Sequence, residues 1–227
     1  MGRQPRLALR RPTSRSREDF IVSSSNAEAV RRLDAWPTWH AGCLALIGPE
    51  GSGKSHLANV WAAAAGASVL TAQTELSDHD LSLLVGRPIL FEDADRAQVD
   101  DLLFHLINMA GVEGGGLLLT ARTPPSAWPT TLPDLRSRLN ALPVAELTAP
   151  DDQLLEGLLR KFFGERSIRP GDDLIAYLVR RIERSAPEAR DIVRQLDEAQ
   201  GVDHRPVTRA LARQILENDD ETGDLFP

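Results

Sequence analysis

The stretch Gly48-Pro49-Glu50-Gly51-Ser52-Gly53-Lys54-Ser55 satisfies the pattern G-x-x-x-x-G-K-[ST] at every fixed position. Its glycines let the backbone turn so that several N–H groups face one set of phosphate oxygens, which a side chain at Gly51 or Gly53 would obstruct. In that pattern Lys54 reaches the β- and γ-phosphates and Ser55 offers its hydroxyl to Mg2+. Just before it, Cys43-Leu44-Ala45-Leu46-Ile47 is a short apolar run that reads as a buried strand, and Ser55 to Ala65 reads as an alanine-rich helix. Strand, glycine turn and helix N-terminus in that order make an anion site. A nucleotide is therefore the expected ligand, with Gly48, Gly51, Ser52, Gly53, Lys54 and Ser55 as candidate binding residues.

Outward from this unit, strand and helix signals alternate. Ser68-Val69-Leu70-Thr71, Pro88-Ile89-Leu90-Phe91 and Leu117-Leu118-Leu119-Thr120 read as further strands, with helical spacing over Val99 to Met109 and a short fifth strand over Val144 to Leu147. Upstream, Phe20-Ile21-Val22 is an apolar patch, followed by Asn26 as the cap of a helix through Leu33 and Trp36. Apolar strands separated by helices specify a parallel sheet covered on both faces, so the core is expected to be α/β. From Pro150 onward the strand candidates end. Helix-spaced segments follow at about 151–166, 171–184, 187–200 and 206–217, with Asp151 as an N-cap and Pro187 and Pro206 in first turns. The expected organisation is a basic flexible tail (1–17), an α/β nucleotide-binding domain (18–149), a small all-helical domain (150–217) and an acidic tail (218–227).

A chain of 227 residues suffices for one large domain, or for a medium domain with a small companion. A net charge of −7 argues against a protein that grips nucleic acid through a broad basic face, although residues 1–17 carry six arginines and no acid. Cys43 is the only cysteine, which excludes an internal disulfide and a thiolate zinc site and leaves it a small core residue. No apolar run approaches the roughly 18 residues that cross a bilayer, and the arginine-rich start lacks the apolar segment of a secretory signal. A soluble cytoplasmic protein without a membrane partner is expected.

Two further sets of residues bear on chemistry. Ile89-Leu90-Phe91-Glu92-Asp93 ends an apolar strand in a carboxylate pair, the arrangement in which one acid serves Mg2+ and the next polarises the attacking water. Glu92, with Ser55, is thus the candidate metal residue and Asp93 the candidate catalytic acid, in the reverse of the usual Asp-Glu order. Arg138 lies just before the last strand, and Arg190 opens a later helix. A guanidinium fork suits phosphate charge, but spacing alone leaves both as readily ordinary solvated arginines.

Taken together, these positions resemble the AAA+ superfamily, and within it the DnaA clade of bacterial replication initiators. Gly53-Lys54-Ser55-His56-Leu57 is similar to that clade's G-K-[ST]-H-L, which adds His56 to the nucleotide site. Phe20-Ile21-Val22 followed by Asn26 is similar to its F-x-x-F-V-x-G-x-x-N segment, which lies against the adenine. Leu132-Pro133-Asp134-Leu135-Arg136-Ser137-Arg138-Leu139 is similar to L-P-D-L-x-S-R-[LF], whose arginine is the arginine finger, and Arg190 matches the sensor 2 arginine of the helical lid. The matches run from residue 18 to about 217, with no helix-turn-helix domain after the lid and no large N-terminal region before the core.

On that ground the chain most resembles the Hda family, which inactivates DnaA after replication starts. The resemblance implies ADP or ATP with Mg2+ as the ligand, DnaA and the sliding clamp (the β subunit of DNA polymerase III) as partners, and no specific DNA site. It implies residence near the nucleoid and replisome, and it leaves room for a homo-oligomer. Gln4-Pro5-Arg6-Leu7-Ala8-Leu9 is similar to the family's clamp-binding peptide, with Gln4 at a pocket rim and Leu7 and Leu9 as anchors, although Pro5 replaces a leucine. Asp224-Leu225-Phe226-Pro227 resembles the ending of other clamp-binding peptides. The implied function is negative regulation of initiation, by an arginine finger that stimulates ATP hydrolysis on DnaA. The inverted Glu92-Asp93 pair, and Arg122 where the initiator has an acid after its sensor 1 threonine, imply a site that holds nucleotide and turns it over poorly. Two other readings stay open: a self-sufficient ATPase that loads or remodels a replication protein, and a DNA-binding fragment of an initiator.

Overall fold

Five apolar stretches form one parallel sheet of order β2-β3-β4-β1-β5 in the computed structural model, which describes residues 17, 20–96, 100–200 and 206–223, without the side chains of Asp78 and residues 218–223. Strands β1 (Cys43–Ile47) and β4 (Gly116–Ala121) are buried along their whole length, as continuous apolar runs demand when both faces are covered. They pair from Cys43 opposite Leu117 to Ile47 opposite Ala121. Strand β5 (Val144–Glu146) lies along the other side of β1, β3 (Pro88–Phe91) along β4, and β2 (Ser68–Leu70) forms the far edge. The strand positions expected from the sequence agree with these to within a residue.

Alternation along the strands divides the core in two. Cys43, Ala45, Ile47, Leu117 and Leu119 pack on one face with Leu103 and Leu106 of α4 (Asp100–Ala110) and Leu135 and Leu139 of α5 (Pro133–Ala141). Leu44, Leu46 and Leu118 point to the other face, against Leu33 of α1 (Ala27–Asp34) and Leu57 and Trp61 of α2 (Lys54–Ala65). Each such leucine contributes about 1.5–3 kcal/mol by leaving water. Helix α3 (Asp78–Leu84) was not anticipated; it starts in a capping box in which the Ser77 side chain accepts the Asp80 N–H and Asp80 accepts the Ser77 N–H. Glu or Gln is the usual partner at that position, so Asp80 hid the signature. Helix α5 carries the segment with Arg138, and Pro133 at its first turn is its start signal.

The later helices α6 (Asp152–Glu165), α7 (Asp172–Val179), α8 (Ala186–Gln200) and α9 (Arg209–Gly223) bury their own core of Leu155, Leu159, Phe163, Ile175, Leu178, Ile192 and Leu196. Asp151 caps α6 as expected, accepting the Leu154 N–H at 2.8 Å. Three expected boundaries move, among them the end of α9, which runs to Gly223 rather than to residue 217. Helix α7 ends at Val179 rather than near residue 184, and α9 begins at Arg209 rather than at Pro206, with the Thr208 hydroxyl accepting the Leu211 N–H.

Candidate functional site

Where β1 ends, the chain enters the loop 48–53 and turns into α2 through left-handed backbone at Gly51 (φ 75°) and Gly53 (φ 97°). Gly51 is needed for a second reason: a Cβ there would lie 2.6 Å from Ser185 Cβ and 3.2 Å from Pro187 Cδ. The start of α8 therefore sits directly on the loop, and the Ala186 N–H donates to the Gly51 carbonyl at 3.2 Å. Between loop and helices lies a cleft of about 630 Å³. It is lined by the apolar Phe20, Ile21, Leu154, Leu158 and Phe162 and by the charged Lys54, Arg96, Arg122, Lys161 and Arg190, with the carboxylates of Glu50 and Asp93 among them. A cationic lining in a chain of net charge −7 suits an anion, and the apolar groups among it suit a flat, weakly polar group.

Lys54 is 8% exposed, and its Nζ donates to the carbonyls of Gly48 (2.7 Å) and Pro49 (2.8 Å). Burial and then the charge of Arg122 push its pKa down, against the pull of Asp93, Asp95 and Glu50. Ser52, Gly53, Ser55 and His56 line the cleft with it. Gly48 does not; its carbonyl anchors Lys54 instead. The His56 ring stacks on Phe20 at 5.7 Å and 12°. Ile21 also lines the cleft, but Val22 is 44% exposed and lies outside it.

The carboxylate pair is placed differently from the expectation. Asp93, not Glu92, faces the cleft, while Glu92 is within 3.4 Å of Asn59 Nδ2 on α2. The cause is local: Asp93 has left-handed backbone (φ 52°), which re-aims its side chain, and its N–H donates to the buried Thr120 hydroxyl at 3.1 Å. Asp95, singled out by no motif, accepts the N–H groups of Arg122 (2.9 Å) and Thr123 (3.3 Å). Arg122 in turn forms an ion pair with Glu50 across the cleft mouth.

Arg190 lines the cleft, its guanidinium 4.3 Å from the Phe162 ring centre and 3.8 Å from Glu165. Arg138 does not. It is exposed on the last turn of α5, over the Phe104 ring at 5.1 Å. The structure thus brings the loop, Phe20, Ile21, His56, Asp93 and Arg190 together and leaves Val22, Glu92 and Arg138 apart. Gln4, Leu7, Leu9 and the segment 224–227 lie outside the described residues.

Asn26 makes no side-chain cap. Its amide instead accepts the Ser23 N–H and donates to the Ile21 carbonyl, both at 2.9 Å, and so shapes the segment that carries Phe20 and Ile21. That segment is tied to α6: the Ser24 hydroxyl and Ser25 N–H donate to Asp151 at 2.7 and 3.2 Å, and Ile21 packs where a Cβ on Gly157 would come within 3.1 Å. Among the described residues no three His, Cys, Asp or Glu side chains converge as a metal site, and no helix is long and apolar enough to cross a membrane.

No protein-family model matches the chain. It is 29% identical over 218 residues to the chromosomal replication initiator DnaA of Caulobacter vibrioides, covering 81% of this chain and 44% of that protein. The chain thus spans less than half the length of this relative. Its structure is similar to domain III of Thermotoga maritima DnaA (TM-score 0.72, 16% identity, 90% of this chain and 96% of that one). RuvB of Thermotoga maritima has a similar fold (TM-score 0.70, 16% identity, 90% and 72% covered). So does a replication initiator DnaA bound to AMPPCP and single-stranded DNA (TM-score 0.65, 16% identity, 91% and 69% covered). The chain has the α/β AAA+ fold of DnaA domain III, and its sequence is related to that of the replication initiator DnaA over four-fifths of its length.

Proposed function

We propose that this chain binds ADP or ATP and, in that state, regulates replication initiation by stimulating ATP hydrolysis on the initiator DnaA. The observation that carries the first half is the cleft itself, lined by a glycine loop and Lys54 together with the apolar Phe20, Ile21 and Phe162. The base would lie toward Phe20 and Ile21, next to the His56 ring, and the phosphates along Gly51 to Ser55, with Arg190 reaching in from α8. Mg2+ keeps several waters and takes few protein ligands beside nucleotide phosphates. Ser55 and Asp93, both on the cleft, suit that role, and Glu92 does not.

The second half rests on Arg138. It is exposed and outside its own chain's cleft, as an arginine meant for a neighbour's nucleotide would be. A trans-acting arginine can accelerate hydrolysis by about 10³ to 10⁵. The tail residues Gln4, Leu7 and Leu9 would tether the chain to a sliding clamp on DNA, raising its local concentration near the replisome. The test is ATP hydrolysis by DnaA with this protein, with and without DNA-loaded clamp. We expect stimulation only with all components present and its loss in Arg138→Ala, which should still bind nucleotide; undiminished stimulation by that variant sinks the finger assignment. One observation favours a second reading, a self-sufficient ATPase: Asp93 faces the cleft beside Lys54. Steady turnover by the protein alone, lost in Lys54→Ala and indifferent to clamp, would put that reading first.

A further inference from the structure

Away from the cleft, the corner between α7 and α9 collects positive charge around one ring. The guanidiniums of Arg181 and Arg209 lie 5.6 and 5.1 Å from the centre of the partly buried Tyr177 ring, within the distance at which an aromatic face holds a cation. Arg213 lies within electrostatic reach of Tyr177, and Arg180, next to Arg181 in the chain, is exposed as well. None of these residues lines the nucleotide cleft, whose helical side comes from α6 and α8.

This charge is not balanced. Among the described residues Arg181 and Arg209 have no carboxylate partner, whereas Arg213 is paired with Glu217, and Arg194 on α8 with Asp191 and Glu198. Arg209 also opens α9, whose first turn holds no acid, so its cation sits at the helix end that favours an anion. Two like charges on one ring, one of them at the positive end of a helix dipole, repel each other until an anion joins them.

A guanidinium that rests its face on a ring keeps the N–H groups of its edge for phosphate oxygens. The ring is taken up by the two guanidiniums, so it offers no platform on which unpaired bases could stack, as single-strand surfaces do. The apolar centre of a protein interface is missing too. The large exposed apolar side chains among the described residues are Val22, Val69, Leu83, Val85 and Val112, none of them on α7 or α9. We propose that the corner formed by Tyr177, Arg181 and Arg209 binds the phosphate backbone of double-stranded DNA without reading its sequence. A duplex presents one charge per about 1.7 Å of its axis, so neighbouring phosphates meet both arginines together. The corner is separate from the nucleotide cleft, and the proposal does not rest on the nucleotide reading. With a net charge of −7 elsewhere opposing it, the contact is local, weak and salt-dependent.

The experiment is fluorescence anisotropy of a short labelled DNA duplex titrated with the full chain over a series of salt concentrations. Wild type is compared with Arg181→Ala, Arg209→Ala, the double variant and Arg194→Ala, which removes the same charge from a guanidinium already paired; folding is checked by circular dichroism. The six arginines of residues 1–17 are present throughout, so any contact they make with DNA cancels in the comparison. Each single variant at the corner should reduce the slope of log K against log salt by about 0.9, and the double variant by about twice that. The double variant should also bind at least about tenfold more weakly, and Arg194→Ala within about threefold of wild type. An unchanged slope in the double variant, an equal loss in Arg194→Ala, or a wild type that does not bind the duplex overturns the proposal. Tighter binding of the single strand, or displacement of the duplex by polyglutamate as readily as by unlabelled duplex of matched charge, overturns the assignment to duplex DNA.

Discussion

Replacing Gly51 by alanine tests whether the phosphate loop and the helical unit form one mechanical piece. The backbone at Gly51 is left-handed (φ 75°), which costs an alanine about 1–2 kcal/mol. The new Cβ would lie 2.6 Å from Ser185 Cβ, a contact that cannot stand, and relieving it by shifting α8 costs about another 1–3 kcal/mol, the usual range for overpacking. That shift also stretches the bond from the Ala186 N–H to the Gly51 carbonyl, now 3.2 Å. Gly51→Ala should therefore lose about 2–5 kcal/mol of unfolding free energy. Strain and clash are separated by Ser185→Gly, which removes the struck atom. Alone it should cost only a few tenths of a kcal/mol, because glycine nearly replaces the serine that accepts the Glu188 N–H at the start of α8. In the double variant the clash component should return while the backbone strain remains. The assay is a double-mutant cycle from urea midpoints. Simple additivity of the two substitutions would refute the seating of α8 on the loop.

Asp151 gives a pH-dependent outcome. Burial works against its charge, but hydrogen bonds from the Ser24 hydroxyl and from the Leu154 and Ser25 N–H groups outweigh it and hold its carboxyl below the ordinary aspartate range. A depressed carboxylate stabilises the fold fully above the unfolded pKa and loses that contribution as pH falls through the folded one. Asp151→Asn should thus be less stable than wild type by about 1 kcal/mol near neutral pH, and the gap should close as pH falls below about 4. A gap unchanged in acid counts against the charge as its cause. Cys43 is 1% exposed, and burial pushes its thiol up to about 12, so a disulfide-exchange reagent at neutral pH should label it only when the protein unfolds. Labelling at the rate of a free thiol, without denaturant, would contradict the packing of β1.

The strand, loop and helix around Lys54 were legible because each step has a local signature: an apolar run, glycines at fixed offsets and a helix start. What stayed hidden depends on geometry that no local pattern encodes. Order along the chain gives Glu92 and Asp93 separate roles but not their directions, and the left-handed backbone at Asp93 turns that side chain to the cleft. Asn26 belongs to a residue class that caps helices, but its amide folds the chain before α1 instead. The apolar wall from Leu154, Leu158 and Phe162 is indistinguishable in sequence from the core face of α6, since both follow helical spacing. Arg122 was visible only as an oddity. Its pairing with Glu50 joins residues 72 positions apart, brought together by the parallel pairing of β1 and β4.

The anchoring of the segment around Ile21 has a consequence for synthesis. Ser24 binds Asp151 across 127 residues of sequence, and Ser25 receives Thr148 across 123. A ribosome adds about 5–20 residues per second, so this early segment emerges several seconds before its anchor exists. The sheet can assemble without it. Phe20 can stack on His56 as soon as α2 has formed, but Ile21 meets Gly157 only when α6 has left the exit tunnel, which makes the Ile21 end of the cleft the last part of it to mature on a nascent chain.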